Sequence, residues 1–463
     1  MKNKEPDKLK RILQPRYLIW VLLFLLFAER LLLFRQLGPD YLSYSDDEAY
    51  IKAGLYFAKT GTISMWGPYP SAMIMPAMPV IIGCFSFLFG DGTALLTALK
   101  ILWICMGVLT AYICYKTVCL FSSGWGGLFA AAHFLIPNMA WMNHVLLTET
   151  PYMLFLVMTL YYTFRLGQTA DKKVFLAYLL SFMAGLMFRA NMLMMPVFTL
   201  FYLALNGNIT KRTLKRTGLF ICVLLMFIVP WSFRNYIQFR AFIPITYGAG
   251  NPMLLGTYQG ENYPPDERLD YATNVDAVMR EEYPDYYSPQ SRSWPVSDEN
   301  RYYIEHFDPD GDVKDLKQAQ FLSLQADGIK ARYRMREWFR NNGKSFLKSY
   351  LYIKPRWMLN WSWAWEEAFG VPYSVLHRIS QINAVFCTLT AALTVCLKRS
   401  RKPVLFLGAA YVITVFLYAT SFVSDRYAST LMAYRYMIAG IGFSLILEII
   451  AGMIKKGQKE ISS

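Results

Sequence analysis

The stretch from Tyr17 to Phe34 is apolar apart from Glu29-Arg30, and Thr217 to Pro230 carries no charge at all. Runs of this length are long enough, or nearly so, to cross a hydrocarbon core roughly 30 Å thick as helices. Composition argues the same way: 55% of the residues are hydrophobic, 16% aromatic and only 17% charged. A soluble domain carries closer to a quarter charged. The chain is therefore expected to be an all-α polytopic membrane bundle. About ten spans are expected, at 17–34, 94–119, 124–141, 150–167, 174–188, 191–206, 217–233, 373–397, 403–421 and 436–454. The first is too long for a cleaved signal peptide and lacks a small-residue cleavage site.

Orientation follows from lysine and arginine, which favour cytoplasmic loops. Basic clusters stand at Lys2–Arg16, Lys172–Lys173, Lys211–Arg216, Lys398–Lys402 and Lys455–Lys459. Ten spans with the N-terminus inside put every cluster inside, which predicts a multi-pass protein of the cell (plasma) membrane with both termini cytoplasmic. The segment Ala72 to Phe89 is also apolar, but Pro76, Pro79 and Gly83 make it an awkward span. Counting it would flip four later clusters outside, so it is expected to lie in the outer interface or to re-enter without crossing. The net charge of +15 is thus a topological signal, and no nucleic-acid partner is expected, since no arginine-rich arm appears. The seven cysteines (84, 105, 114, 119, 222, 387, 396) all fall in apolar segments, which argues against a disulfide framework or a CxxC metal site.

Two loops are long and both fall outside, 38–93 and about 234–372. This gives three parts: an N-terminal transmembrane module, 1–233, with its outer loop 38–93; an extracytoplasmic loop domain, 234–372; and C-terminal transmembrane helices, 373–463. The loop domain is expected to be a small mixed α/β unit. Phe242-Ile-Pro-Ile-Thr-Tyr-Gly248 reads as a strand running into a glycine turn, and Ala326 to Met358 as a helix returning to the membrane. Short basic loops inside and acids with aromatics outside place any chemistry outside.

In the first outer loop, Ser45-Asp46-Asp47-Glu48-Ala49-Tyr50 opens a stretch in which Tyr50, Ala53 and Phe57 recur at helical spacing. This predicts an interfacial helix, with Ser45 and Glu48 in the form of a capping box. Acids in a first turn need no further role, because they offset the helix dipole. Only Glu48 serves the box, however. Asp46 and Asp47 are left free, and a helix N-terminus keeps a carboxylate ionised, as a general base must be.

The pattern Asp46-x-x-x-Tyr50-x-x-Ala53, then Gly61, then the stretch around Pro76 and Pro79 resembles the first outer loop of GT-C membrane glycosyltransferases. Within them it is most similar to bacterial members of the protein O-mannosyltransferase and lipid A aminoarabinose transferase branch. Leu146-Leu-Thr-Glu149 stands where that family has a second acidic position, and Phe188-Arg189-Ala190-Asn191 matches a basic turn between two spans. Pro230-Trp231-Ser-Phe-Arg234-Asn235-Tyr236 resembles the proline-tryptophan to arginine-asparagine segment, and an Arg-Tyr pair precedes the last span. The pair is either Arg435-Tyr436, preferred because it abuts the span, or Arg426-Tyr427.

The resemblance implies a GT-C-like fold and an enzyme. It would transfer a sugar from a polyprenyl-phosphate donor, of the undecaprenyl-phosphate kind, to an acceptor hydroxyl on the extracytoplasmic face, with inversion. The acceptor would be a lipid, a glycan or a protein. The family's catalytic carboxylate lies in this loop. The tyrosine spacing selects Asp46, whereas an Asp-Glu register would select Asp47-Glu48. Arg189, Arg234 and Arg435, with Arg426 as the alternative register, are candidates for the donor phosphate, since guanidinium forks suit phosphate oxygens. Tyr50, Glu149, His144 and Asn235 complete the candidate site. A divalent metal is not implied, and no other cofactor is.

Other features have plainer readings. Arginines near a membrane surface often snorkel, and Glu149 would serve as a helix-start carboxylate. Glu29-Arg30 reads first as a mutual or interhelical pair. The tryptophans from Trp357 to Trp365 suit an interfacial belt. Asp308-Pro-Asp310-Gly-Asp312 has its glycine misplaced for a calcium loop and Ala319 where the glutamate belongs. Asn208-Ile-Thr210 is a sequon, but it falls inside. A transporter or lipid flippase of cell-envelope substrates stays open as the alternative, although no inverted repeat is evident; so does a silent envelope scaffold.

Overall fold

The computed structural model describes residues 14–43, 46–265, 271–282, 316–360, 363, 369–397 and 400–462. Ser45 of the expected capping box and the acidic turn at Asp308–Asp312 lie outside them. So do Trp361 and Trp365 of the tryptophan run.

Among the described residues the regular structure is helical, with no strand. Six helices are long and apolar enough to cross a membrane: α1 (Pro15–Leu37), α4 (Thr93–Val118), α10 (Lys211–Phe239), α15 (Tyr373–Cys396), α16 (Arg401–Ala419) and α18 (Met432–Ser462). Their outward faces are apolar. Trp20, Phe24 and Leu32 on α1 and Met226, Val229 and Phe233 on α10 are all exposed, a surface that suits lipid and not water. The protein is a multi-pass membrane protein of the all-α class, as its sequence predicts.

The other four expected spans are helical but differ in kind. The segment 124–141 is broken. α5 (Gly124–Ala132) gives way to a 3₁₀ turn, His133–Leu135, and α6 (Pro137–Met142) starts afresh at its proline. Ile136, just before Pro137, is extended (φ −61°, ψ 128°), as a residue before proline prefers. α6 is buried on all sides, so protein and not lipid satisfies its free backbone groups. α7 (Glu149–Gln168) and α8 (Lys172–Phe188) form a hairpin, α7 mostly buried and α8 exposing Leu176 and Leu180, and α9 (Met195–Leu205) follows a 3₁₀ turn at Ala190–Met194. For α6 and α7, burial within protein relaxes the demand for an unbroken apolar span.

The first outer loop holds α2 (Asp46–Thr60) and α3 (Ala77–Phe89). At 13 residues α3 is too short to cross, since about 20 are needed, and Phe87, Leu88 and Phe89 at its end are exposed. α2 and α3 meet backbone to backbone. A Cβ on Gly54 would collide with Ile82, and one on Gly83 would lie 2.7 Å from Phe57.

The second outer loop contains α11 (Gly250–Gly256), α12 (Tyr271–Glu282), α13 (Leu316–Lys348), a π turn at Ser349–Ile353 and α14 (Lys354–Leu359). A second apolar cluster gathers Phe239, Ile243, Tyr247, Phe321 and Leu322 with Ile63 and Ala72 of the first loop. The strand expected at Phe242–Gly248 is not formed. Side chains of α10 take the carbonyls a neighbouring strand would need: Trp231 Nε1 donates to Ile245 O at 2.6 Å and Asn235 Nδ2 to Ile243 O at 2.8 Å. The helix expected over 326–358 begins ten residues earlier and is interrupted at Asn342 (φ −146°, ψ 62°). The short α17 (Asp425–Ser429) precedes α18.

Candidate active site

Four residues remote in sequence form a row of alternating charge. Asp46 opens α2, and its Oδ2 accepts from Arg426 Nη1 at 2.7 Å. Arg426, on α17, also donates Nε to Glu149 Oε1 at 2.7 Å. Glu149 is the first residue of α7, and the same oxygen accepts from Arg189 Nη1 at 2.7 Å. Arg189 stands at the end of α8, extended at φ −148°, where its amide still caps the helix on Gly185 O. The row therefore reads Asp46, Arg426, Glu149, Arg189, and accessibility grades along it. The side chain of Glu149 is 0% exposed, those of Arg189 and Arg426 13% and 15%, and that of Asp46 30%. Asp46 is the open end.

Burying such charges is costly unless each is paired and hydrogen-bonded. Burial works against the charge on Arg426, but Glu149 and then Asp46 more than restore it, holding its pKa well above the usual guanidinium value. Tyrosine rings supply the low-dielectric walls. Arg189 lies 5.7 Å over Tyr152 and 5.2 Å over Tyr427, which stacks on Tyr418 at 5.2 Å. Burial, and next the charge of Asp46, push the Tyr50 phenol above its ordinary value, so it stays neutral. The Tyr418 hydroxyl is buried and has no hydrogen-bond partner among the described residues.

A set of buried polar contacts holds Thr150, the residue next to Glu149 in the first turn of α7. Arg30, fully buried, donates Nε to Asn143 Oδ1 at 2.7 Å and Nη2 to Phe134 O at 3.0 Å, and pairs with Glu29 at 3.0 Å. Asn143 Nδ2 donates to Thr150 Oγ1 at 3.0 Å, and that hydroxyl donates to Met142 O at 3.0 Å. Gly107 on α4 makes room, since a Cβ there would collide with the Asn143 amide. Lys100, also buried, donates to Gly38 O at 3.2 Å and Tyr41 O at 2.6 Å, holding the linker that delivers Asp46. His144 belongs to the same frame. Its two ring nitrogens face Ala140 O at 2.8 Å and Arg30 O at 2.9 Å, which leaves neither for an incoming group.

Of the residues singled out from sequence, Asp46, Tyr50, Glu149, Arg189 and Arg426 converge. The others do not. Asp47 is buried, and its carboxylate accepts the amides of Ser43 at 2.5 Å and Glu48 at 3.2 Å, so it anchors the helix start. Glu48 pairs with Lys52 at 2.9 Å on the exposed side of α2, away from the row. The preferred Arg-Tyr register is displaced: Arg435 donates to Leu359 O and Ser380 O, both at 3.3 Å, between α14 and α15, and Arg426-Tyr427 takes the place beside Asp46. Arg234 donates to Ser71 O at 2.9 Å and Ile63 O at 3.2 Å, and with Asn235 it ties the two outer loops together. Sequence reasoning missed Tyr152 and Tyr418, because a tyrosine within an apolar helix carries no signal in a single sequence. Among the described residues no three His, Cys, Asp or Glu side chains converge as metal ligands.

Residues 71–233 match the family model described as dolichyl-phosphate-mannose-protein mannosyltransferase. That stretch contains Glu149 and Arg189 and leaves Asp46 and Arg426 on either side. No curated protein matches the chain. Among solved structures, ArnT from Cupriavidus metallidurans bound to undecaprenyl phosphate is 14% identical, covering 92% of this chain and 77% of that one at a TM-score of 0.40. The archaeal oligosaccharyltransferase AglB from Archaeoglobus fulgidus, in complex with an inhibitory peptide and a dolichol-phosphate, is 12% identical at a TM-score of 0.54. The alignment covers 97% of this chain but only 52% of AglB, so the chain spans about half the length of that relative. Residues 71–233 are thus similar to the mannosyltransferase family, and the chain shares its overall fold with AglB.

Proposed function

We propose that the chain transfers a sugar from a polyprenyl-phosphate donor to an acceptor hydroxyl on the extracytoplasmic face of the plasma membrane, with Asp46 as general base. The observation that carries this reading is the row itself. A carboxylate at the open end and two guanidiniums behind it offer a proton acceptor and an anion site within one cluster. The acceptor oxygen attacks the anomeric carbon, and its proton passes to Asp46. The bond from that carbon to the phosphate oxygen breaks opposite the attack, and the electron pair stays on the departing polyprenyl phosphate. Inversion follows.

Arg189 and Arg426 are the groups placed to hold that phosphate as its charge develops. Arg426 also ties up Asp46 Oδ2, so a phosphate drawing on Arg426 frees that oxygen for the proton. Glu149 keeps the two guanidiniums together. Basic clusters at the opposite ends of the spans support an extracytoplasmic site.

The test is transfer from radiolabelled undecaprenyl-phosphate sugars to cell-envelope acceptor by purified protein. Asp46→Asn should lower the rate about 10²–10⁴-fold, while Asp47→Asn and Glu48→Gln should lower it far less. Full activity in Asp46→Asn, or no transfer by the wild type with any donor, overturns the assignment.

A further inference from the structure

We infer that the far end of the α7–α8 hairpin is a binding site for an anionic phospholipid. α7 runs from Glu149 to Gln168, so at about 1.5 Å per residue its last turn lies roughly 30 Å from the carboxylate row. A cavity of about 200 Å³ opens there, walled by Phe175, Tyr178, Leu203 and Phe220 and rimmed by Arg212 and Arg216. The two arginines stand four apart on α10, where like charges on one helix face repel. Arg212 is exposed and Arg216 half-buried. Arg216 donates Nη2 to Ala170 O at 2.5 Å and lies 5.4 Å over Phe175, which closes one side of the cavity mouth. Lys211 and Lys215 adjoin them in sequence, and Lys172 and Lys173 open α8 after the turn that holds Ala170. The one acid in the turn, Asp171, accepts the amide of Lys173 at 2.9 Å as the cap of α8.

A rim of two guanidiniums with the single acid Asp171 near Arg216, above apolar walls, suits a phosphate joined to hydrocarbon. The phosphate relieves the repulsion between Arg212 and Arg216 through charge-assisted hydrogen bonds. The walls take the upper part of one acyl chain, for which a free inorganic anion has no use. The surface beside the mouth is itself lipid-facing, with Leu205, Ile209, Leu214 and Leu219 exposed. The lipid is thus an anionic glycerophospholipid of the leaflet at this end, opposite the catalytic row. Basic residues beside a membrane favour such headgroups over zwitterionic ones.

The experiment uses the full chain in nanodiscs of phosphatidylcholine with a minority of phosphatidylglycerol, with bound lipid counted by native mass spectrometry. Wild type should retain phosphatidylglycerol roughly tenfold or more above its share in the disc. The double variant Arg212→Gln/Arg216→Gln should bring retention down to that share. Leu200→Trp, which fills the cavity and leaves the rim intact, should do the same. Equal retention by wild type and the double variant overturns the proposal. So does loss in the arginine variant without loss in Leu200→Trp, or displacement of the lipid by inorganic phosphate alone.

Discussion

The two ends of the α7–α8 hairpin use the same side chain in opposite settings. At one end Arg189 and Arg426 are nearly buried, and both reach the same oxygen of Glu149 at 2.7 Å. At the other, Arg212 and Arg216 sit at a cavity mouth where no ion pair joins them to a carboxylate among the described residues, and Asp171 acts on Arg216 only through its nearby charge. A buried guanidinium persists only where the fold supplies its counter-charge, so the first pair is part of the architecture as well as the chemistry. A guanidinium at the surface is kept charged by water and is spare to meet a ligand. The difference separates residues whose loss unsettles the fold from residues whose loss is felt only in binding.

The comparison is broken most readily at Glu149. Glu149→Gln removes the shared carboxylate from between two guanidiniums and should cost about 3–5 kcal/mol, read as thermal or SDS unfolding in detergent. A cost below about 1 kcal/mol would mean that the row is not held by charge. The paired substitution Arg189→Gln against Arg212→Gln sharpens the contrast. The first should cost about 1.5–3 kcal/mol through loss of a charged hydrogen bond, and the second should stay within about 0.5 kcal/mol. Equal costs would erase the distinction. Tyr418→Phe deletes a buried hydroxyl that has no hydrogen-bond partner among the described residues, so stability should hold or rise by about 1 kcal/mol. If that hydroxyl meets the donor, the KM for donor rises in the same variant. Smallest of all, Glu48→Gln removes only the exposed pair with Lys52 and should shift stability by less than about 0.5 kcal/mol.

Much of the row was legible in the sequence because its members sit at ends of apolar segments, where a charge is conspicuous. Asp46, Glu149 and Arg189 all have that signature. The Arg-Tyr register was not legible. Arg426-Tyr427 and Arg435-Tyr436 are nine residues apart, and both precede or begin the last span. What separates them is the turn at Ala428–Leu431, which ends α17 and points Arg426 back toward α2. The strand expected at Phe242–Gly248 failed for a related reason. Its apolar, branched residues suit a strand, but its carbonyls were already spoken for by Trp231 and Asn235, a tertiary fact that no local pattern carries. Length and hydropathy alone single out six of the ten expected spans. Hydropathy reads the medium around a helix: α6 and most of α7 lie against other helices, whereas α8 and α9 still expose Leu176, Leu180, Val197 and Phe201.

Asp46 is the first residue of α2, and α2 rests on α3 with no side chain between their backbones at Gly54 and Gly83. Mechanically the pair is one strut. Sliding or rolling one helix on the other would drive Ile82 into the Gly54 backbone or Phe57 into that of Gly83, so the packing resists any displacement of α3 relative to the helix that begins at Asp46. The station of the carboxylate therefore depends on a helix that never touches it, one whose far end, at Phe87–Phe89, is exposed.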